Sequence, residues 1–201
     1  MVGICSLLVS GSILCTTPDL ALFPSTKGTT WEYELDSLGV KGSMIQTVHA
    51  VRENSHETIL DIRIESKIMD HKTSSFEILS ISEAGISRVK NSQGEWSPHQ
   101  TLLPKNMDSN WTYFGSVFSD DISMPARAIG QVIREGSIST PIGRKQAKVF
   151  EIHTALSTQN GGLNLTSRYW YVQEIGWVKV ENETTAGKIT LTLRKFFKPS
   201  E

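Results

Sequence analysis

From residue 28 onward the sequence alternates apolar and polar residues with a period of two, and turn signals interrupt the alternation at short intervals. In Leu60-Asp61-Ile62-Arg63-Ile64-Glu65 every second residue is aliphatic and the others are charged. Successive side chains on an extended strand point to opposite faces, so the three aliphatics share one face of a half-buried strand. Phe150 and Ile152 stand in the same relation to Glu151 and His153, and Ile189, Leu191 and Leu193 to Thr190, Thr192 and Arg194. No stretch of similar length repeats at the 3.6-residue spacing of a helix face.

The punctuation fits strands. Asn54-Ser55-His56, Glu83-Ala84-Gly85, Ser92-Gln93-Gly94, Pro141-Ile142-Gly143, Gln159-Asn160-Gly161-Gly162 and Thr185-Ala186-Gly187 each separate two apolar runs. Gly and Asn accept the positive φ of tight hairpins. The spacing leaves no room for crossover helices, so neighbouring strands are antiparallel. The expectation is an all-β domain of roughly ten strands, a curled antiparallel sheet in the form of an open half-barrel or a sandwich.

One internal echo is present. Pro24 is followed seven residues later by Trp31-Glu32-Tyr33, and Pro104 seven residues later by Trp111-Thr112-Tyr113. Each copy reads as a Pro-fixed lead-in and a strand whose Trp and Tyr share a face. The expected sheet is therefore pseudo-repeated in two halves.

At 201 residues the chain has length for one sizeable core, and 22–201 reads as a single domain. Lys plus Arg is 20 against 21 Asp plus Glu, a near-neutral balance that gives no electrostatic case for nucleic acid. Residues 2–15 carry no charge. That stretch is short of the roughly 20 apolar residues of a transmembrane helix and matches the apolar region of an export signal, although basic residues do not precede it. Residues 1–21 are thus read as a signal segment, and membrane contact is expected only through them. Both cysteines, Cys5 and Cys15, lie inside it. Its removal leaves no thiol for disulfides, Cys-ligated zinc or a Cys nucleophile. Cys15 is the candidate for lipidation, with Leu14 before it where a small residue is usual.

Several segments resemble, in order, a bacterial envelope family of unknown function, the TapB-like group. Pro24 to Tyr33 resembles its opening P-x-x-x-G-x-x-W-x-Y, and Leu103-Pro104 to Trp111 its internal L-P…W segment. Thr140-Pro141-Ile142-Gly143 resembles a T-P-A-G turn, and Tyr171 to Lys179 a late Y-A-x-G-V-G-L-V-K hairpin. The segments span about residues 22–195. Gln173-Glu174 departs from the family's small residue and glycine, and Trp177 from an aliphatic. The resemblance implies an exported or lipid-anchored protein, periplasmic or on the outer surface, similar in outline to lipoprotein-carrier half-barrels, with no catalytic residues.

The residues themselves carry little chemistry. The five histidines lack the HExxH and H-x-H spacings that present two imidazoles to a metal. Asp120-Asp121 lacks the surrounding oxygen ligands of a calcium loop. Nucleophile elbows, Walker loops and dinucleotide fingerprints are absent from the sequence. No enzyme activity, metal or cofactor is expected. The heaviest strand residues remain, and Trp31, Tyr33, Trp111 and Trp170 are the candidates for a concave aromatic face that binds an apolar small molecule or lipid. The alternative is a structural or interaction module that takes an envelope protein partner on a sheet edge or surface. A hydrolase with an unrecognised site ranks third.

Overall fold

A computed structural model describes residues 23–107, 110–120, 122–158 and 161–200. Residues 1–21, read above as a signal segment and containing Cys15, lie outside the described residues. Twelve strands follow one another: β1 (Thr30–Ser37), β2 (Val40–Glu53), β3 (Glu57–Ile68), β4 (His71–Ser82), β5 (Gly85–Asn91) and β6 (Gly94–Pro104), then β7 (Trp111–Ser119), β8 (Ile122–Thr140), β9 (Gly143–Thr158), β10 (Gly161–Val172), β11 (Gly176–Thr184) and β12 (Gly187–Phe197). Each pairs antiparallel with the next, and β12 pairs antiparallel with β1, closing the barrel.

The closure corrects the expected open half-barrel or sandwich of ten strands. The local alternation was legible, but the pairing of Thr30 with Phe197 and Ser37 with Ile189 joins opposite ends of the chain. Closure also removes the free sheet edge that an added partner strand would use. Two strands were missed because turns such as Met69-Asp70 contain no Gly, Asn or Pro. Met69 takes the left-handed φ of 52° that the tight turn requires. Glu174, where the resembling family has glycine, likewise adopts φ 65°.

The echoed Trp and Tyr pairs open β1 and β7, six strands apart in the ring of twelve. Both strands start at the same end of the barrel, called here the mouth. At the opposite end, described turns such as Leu38-Gly39, Met69-Asp70 and Thr185-Ala186 have two residues, while the mouth carries the lead-in 23–29 and the long β8–β9 hairpin.

Barrels of about eight strands are just filled by side chains, and wider ones enclose space. This one fills its width with large residues. Trp31, Trp96 and Phe150 are fully buried, and Trp177 lies within 5.6 Å, centroid to centroid, of Phe23, Phe150, Tyr169 and Tyr171. The outer wall carries charge, in pairs such as Lys195–Glu32 at 2.9 Å and Arg52–Asp61 at 2.7 Å. This is the reverse of a membrane-spanning barrel, whose outer face is an apolar band.

Candidate functional site

The four aromatic candidates do not surround a common cavity. Trp31 and Tyr33 point into the barrel from β1. The Trp31 indole Nε1 donates to the carbonyl of Ile175 (2.6 Å), and the Tyr33 hydroxyl donates to that of Trp177 (2.8 Å). Both bonds cross over β12, which lies between β1 and β11 in the ring. Trp111 spans the weakest seam. β6 and β7 pair only over Glu95–Ser97 and Ser116–Phe118, and beyond these the Trp111 Nε1 donates to the Thr101 carbonyl at 3.1 Å. Trp170 points to the opposite face of β10 from Tyr169 and is nonetheless buried, at 8% exposed. It pairs across the ladder with Val149 and Lys179, whereas its neighbour Tyr169 stacks on Phe150 inside. The Lys179 ammonium sits 4.5 Å from its ring centroid.

The interior leaves almost no room. Its described void, between Arg88, Trp96, Gln100, Thr154 and Tyr169, has a volume of about 10 Å³, on the order of one water. Its polar lining is internally satisfied. Arg88 Nε donates to Glu77 (2.7 Å), Arg88 Nη1 to Gln100 (2.8 Å), and Gln100 Nε2 to Thr154 (3.3 Å). The barrel centre is therefore a packed core.

A large concavity lies at the mouth. It measures about 810 Å³ and is bounded by the 23–27 lead-in, the tip of the β8–β9 hairpin, the 173–175 turn and the C-terminal segment. Its floor is apolar. Phe23 covers Trp31 (5.4 Å) and Trp177 (5.6 Å), so it plugs the barrel beneath and faces the cleft above. Val51, Ile142, Ile175 and Phe196 extend this surface, and Lys27, Lys145 and Lys198 stand around it with Glu53 and Glu174. Gly176 allows the plug, because a Cβ there would lie 2.7 Å from the Phe23 ring. Sequence reasoning missed this site, since its lining comes from five separated segments. The one available signal was Phe23-Pro24 beside the first Trp.

The outer wall holds a charge ladder. Glu151 on β9 accepts from Arg168, and Glu181 on β11 pairs with Lys179 (2.7 Å) and Lys188 (2.8 Å). Burial pushes the Glu151 carboxyl up, but Arg168 and His153 outweigh it and hold it below the usual range. For Glu181 the same burial effect is outweighed by Lys179 and Lys188. His153 lies between Glu151 (2.8 Å) and the Thr166 hydroxyl (3.1 Å), a hydroxyl–imidazole–carboxylate line. It lacks the partner that acyl transfer needs: Thr166 and His153 face each other in the β9–β10 ladder, where the backbone N–H groups that could hold an oxyanion are engaged in pairing. Above it a shallow outer depression of about 550 Å³ is lined by Phe114, Arg127, Ile129 and His153, with Phe114 72% exposed. Among the described residues no three metal-ligating side chains come together.

No protein-family model matches the chain, and no curated protein is similar to it at a significant level. Two solved structures share its architecture. One is assigned as a lipoprotein from Parabacteroides distasonis, with 13% identity, a TM-score of 0.56, and 88% of this chain and 98% of that one covered. The other is assigned as an exported protein with a YmcC-like fold from Bacteroides fragilis, with 12% identity, a TM-score of 0.55, and 88% and 99% covered. At these identities the likeness establishes a shared all-β barrel fold over nearly the whole of each neighbour.

Proposed function

We propose that this chain is a non-catalytic binding domain of the bacterial cell envelope, exported through its N-terminal segment, that holds a partly apolar ligand in the cleft at the barrel mouth. The observation that carries this reading is the contrast between an open cleft of about 810 Å³ and a barrel interior packed to about 10 Å³. Ligand sites are typically concave and combine apolar surface with placed polar groups, and the cleft carries both, in about equal shares. The export reading draws support from the charge-free 2–15 stretch, from the TapB-like motifs, and from fold neighbours assigned as a lipoprotein and an exported protein. Trp31 serves the cleft indirectly, as the platform beneath Phe23.

The test is binding of a neutral apolar dye, Nile red, to the purified protein. Its fluorescence rises with the wild type and with Phe114→Ser, and the rise is lost in Ile142→Glu, which puts a charge on the apolar cleft. Unchanged dye binding by Ile142→Glu would sink the cleft reading.

A second reading, docking of an envelope protein partner, rests on the outer depression around the exposed Phe114 and Ile129. Crosslinking in envelope fractions tests it: a partner captured by the wild type and lost with Phe114→Ser and Ile129→Ser supports it.

A further inference from the structure

The charges around the mouth cleft behave differently from many on the wall. Lys41, Arg52, Arg63, Lys188, Arg194 and Lys195 each sit within 4 Å of a carboxylate on their own or a neighbouring strand. Lys27, Lys145 and Lys198 line one cleft, yet among the described residues none forms an ion pair, although Glu53 and Glu174 line it too. Three ammonium groups thus stand unneutralised around an apolar floor made by Phe23, Ile142, Ile175 and Phe196. They come from the lead-in, from the β8–β9 hairpin and from the residues after β12, so the chain brings them together only by closing the barrel.

We propose that the occupant of the cleft is an anionic phospholipid, its phosphate held by Lys27, Lys145 and Lys198 and the start of its acyl chains laid against Phe23, Ile142 and Phe196. The proposal rests on the cleft being the binding site. Two features select a lipid over a free anion. The first is the apolar floor, which a small ion would leave unused. The second is the placement of the charge-free 2–15 stretch, which ends eight residues before Phe23. Eight residues reach at most about 29 Å. A chain held at a bilayer through lipid on Cys15 therefore keeps the mouth near the headgroups. Glu53 and Glu174 on the same rim disfavour a purely anionic ligand that fills the whole cleft, and they fit a headgroup that meets the lysines on one side only.

The experiment titrates the full-length protein with dihexanoyl phosphatidylglycerol, dihexanoyl phosphatidylcholine and inorganic phosphate, each below micelle formation, and follows amide shifts by NMR. The expected result is phosphatidylglycerol binding at least tenfold tighter than phosphatidylcholine, with shifts at Ile175 and Phe196. Each lysine near a bound anionic headgroup contributes on the order of fivefold. Lys145→Gln should therefore weaken phosphatidylglycerol about fivefold, and the triple variant Lys27→Gln/Lys145→Gln/Lys198→Gln should abolish the preference. Phosphatidylcholine, whose choline cation offsets its phosphate, is weakened less in both. All three side chains reach the surface, and an unaltered circular dichroism spectrum confirms folding.

Equal binding of the two lipids, lost together in Ile142→Glu, overturns the anionic headgroup and leaves the cleft reading standing. Inorganic phosphate binding as tightly as phosphatidylglycerol overturns the lipid in favour of a simple anion site. Absence of binding by either lipid, together with Nile red binding that survives Ile142→Glu, overturns both.

Discussion

Gly130 shows how much one side chain's position depends on another's absence. A Cβ there would stand 2.1 Å from the Trp111 ring, so the indole lies flat over bare backbone. Gly130→Ala must displace the indole and break its bond to Thr101, opening the one short seam of the barrel. Overpacking of this kind costs about 1–3 kcal/mol, and loss of the bridging hydrogen bond about 1 more. Urea unfolding should show a loss of at least about 2 kcal/mol. The buried Glu77–Arg88 pair makes a second prediction. Glu77→Gln leaves the Arg88 guanidinium without its counter-charge inside the wall and should cost about 3 kcal/mol, whereas the double change Glu77→Leu/Arg88→Met should recover most of it. A double variant no more stable than Glu77→Gln would show that the pair holds the fold by more than charge.

Among the strands, β1 and β12 carry the closure, and two kinds of contact bind them. Outside, Arg194 reaches Glu34 and Lys195 reaches Glu32. These pairs are solvent-exposed, and exposed pairs contribute little. Inside, Leu193 faces Tyr33 in the ladder and Leu191 faces Leu35, all buried. The closing seam is thus held from within. Leu193→Ala should lower stability by about 2–4 kcal/mol, while Arg194→Ala leaves the melting temperature nearly unchanged at physiological salt. Thermal unfolding of the two variants side by side checks this, and a larger effect from Arg194→Ala would place the closure on the outer wall. The strands were legible from period two wherever apolar and polar residues alternate, as in Leu60–Glu65. They were not legible in Tyr169-Trp170-Tyr171-Val172, four consecutive apolar residues. There alternation gives no face, so the run by itself does not say which of the four point inward.

The barrel as a whole has one packed interior, and its response to alkali follows from that. Burial pushes the Tyr33 and Tyr171 phenols well above their ordinary range. In the unfolded chain they ionise near pH 10. The sign follows: a folded-state value raised above the unfolded one gives stability that is complete below about pH 10 and declines as the pH rises past it. Each phenol contributes a slope of about 1.4 kcal/mol per pH unit in that range. Urea midpoints should therefore be flat from pH 7 to 9 and fall steeply above 10, with Tyr171→Phe removing one phenol's share of the slope. An unchanged slope in Tyr171→Phe would mean that its ring is reached by water in the folded state.

The amino-acid sequence by itself determined the strands, their antiparallel sense and most of the residues that face inward, because side-chain alternation and turn chemistry act over a few neighbouring residues. It also carries the charge-free 2–15 stretch on which the export reading rests, which is a matter of local composition. Closure was decided only by the tertiary structure. Whether a sheet stays open depends on twist and register accumulated over twelve strands, and on a pairing between residues 30–37 and 189–197 that no local pattern encodes. The same closure packed the expected aromatic platform into a core, and it assembled the mouth cleft from segments that are neighbours in space alone.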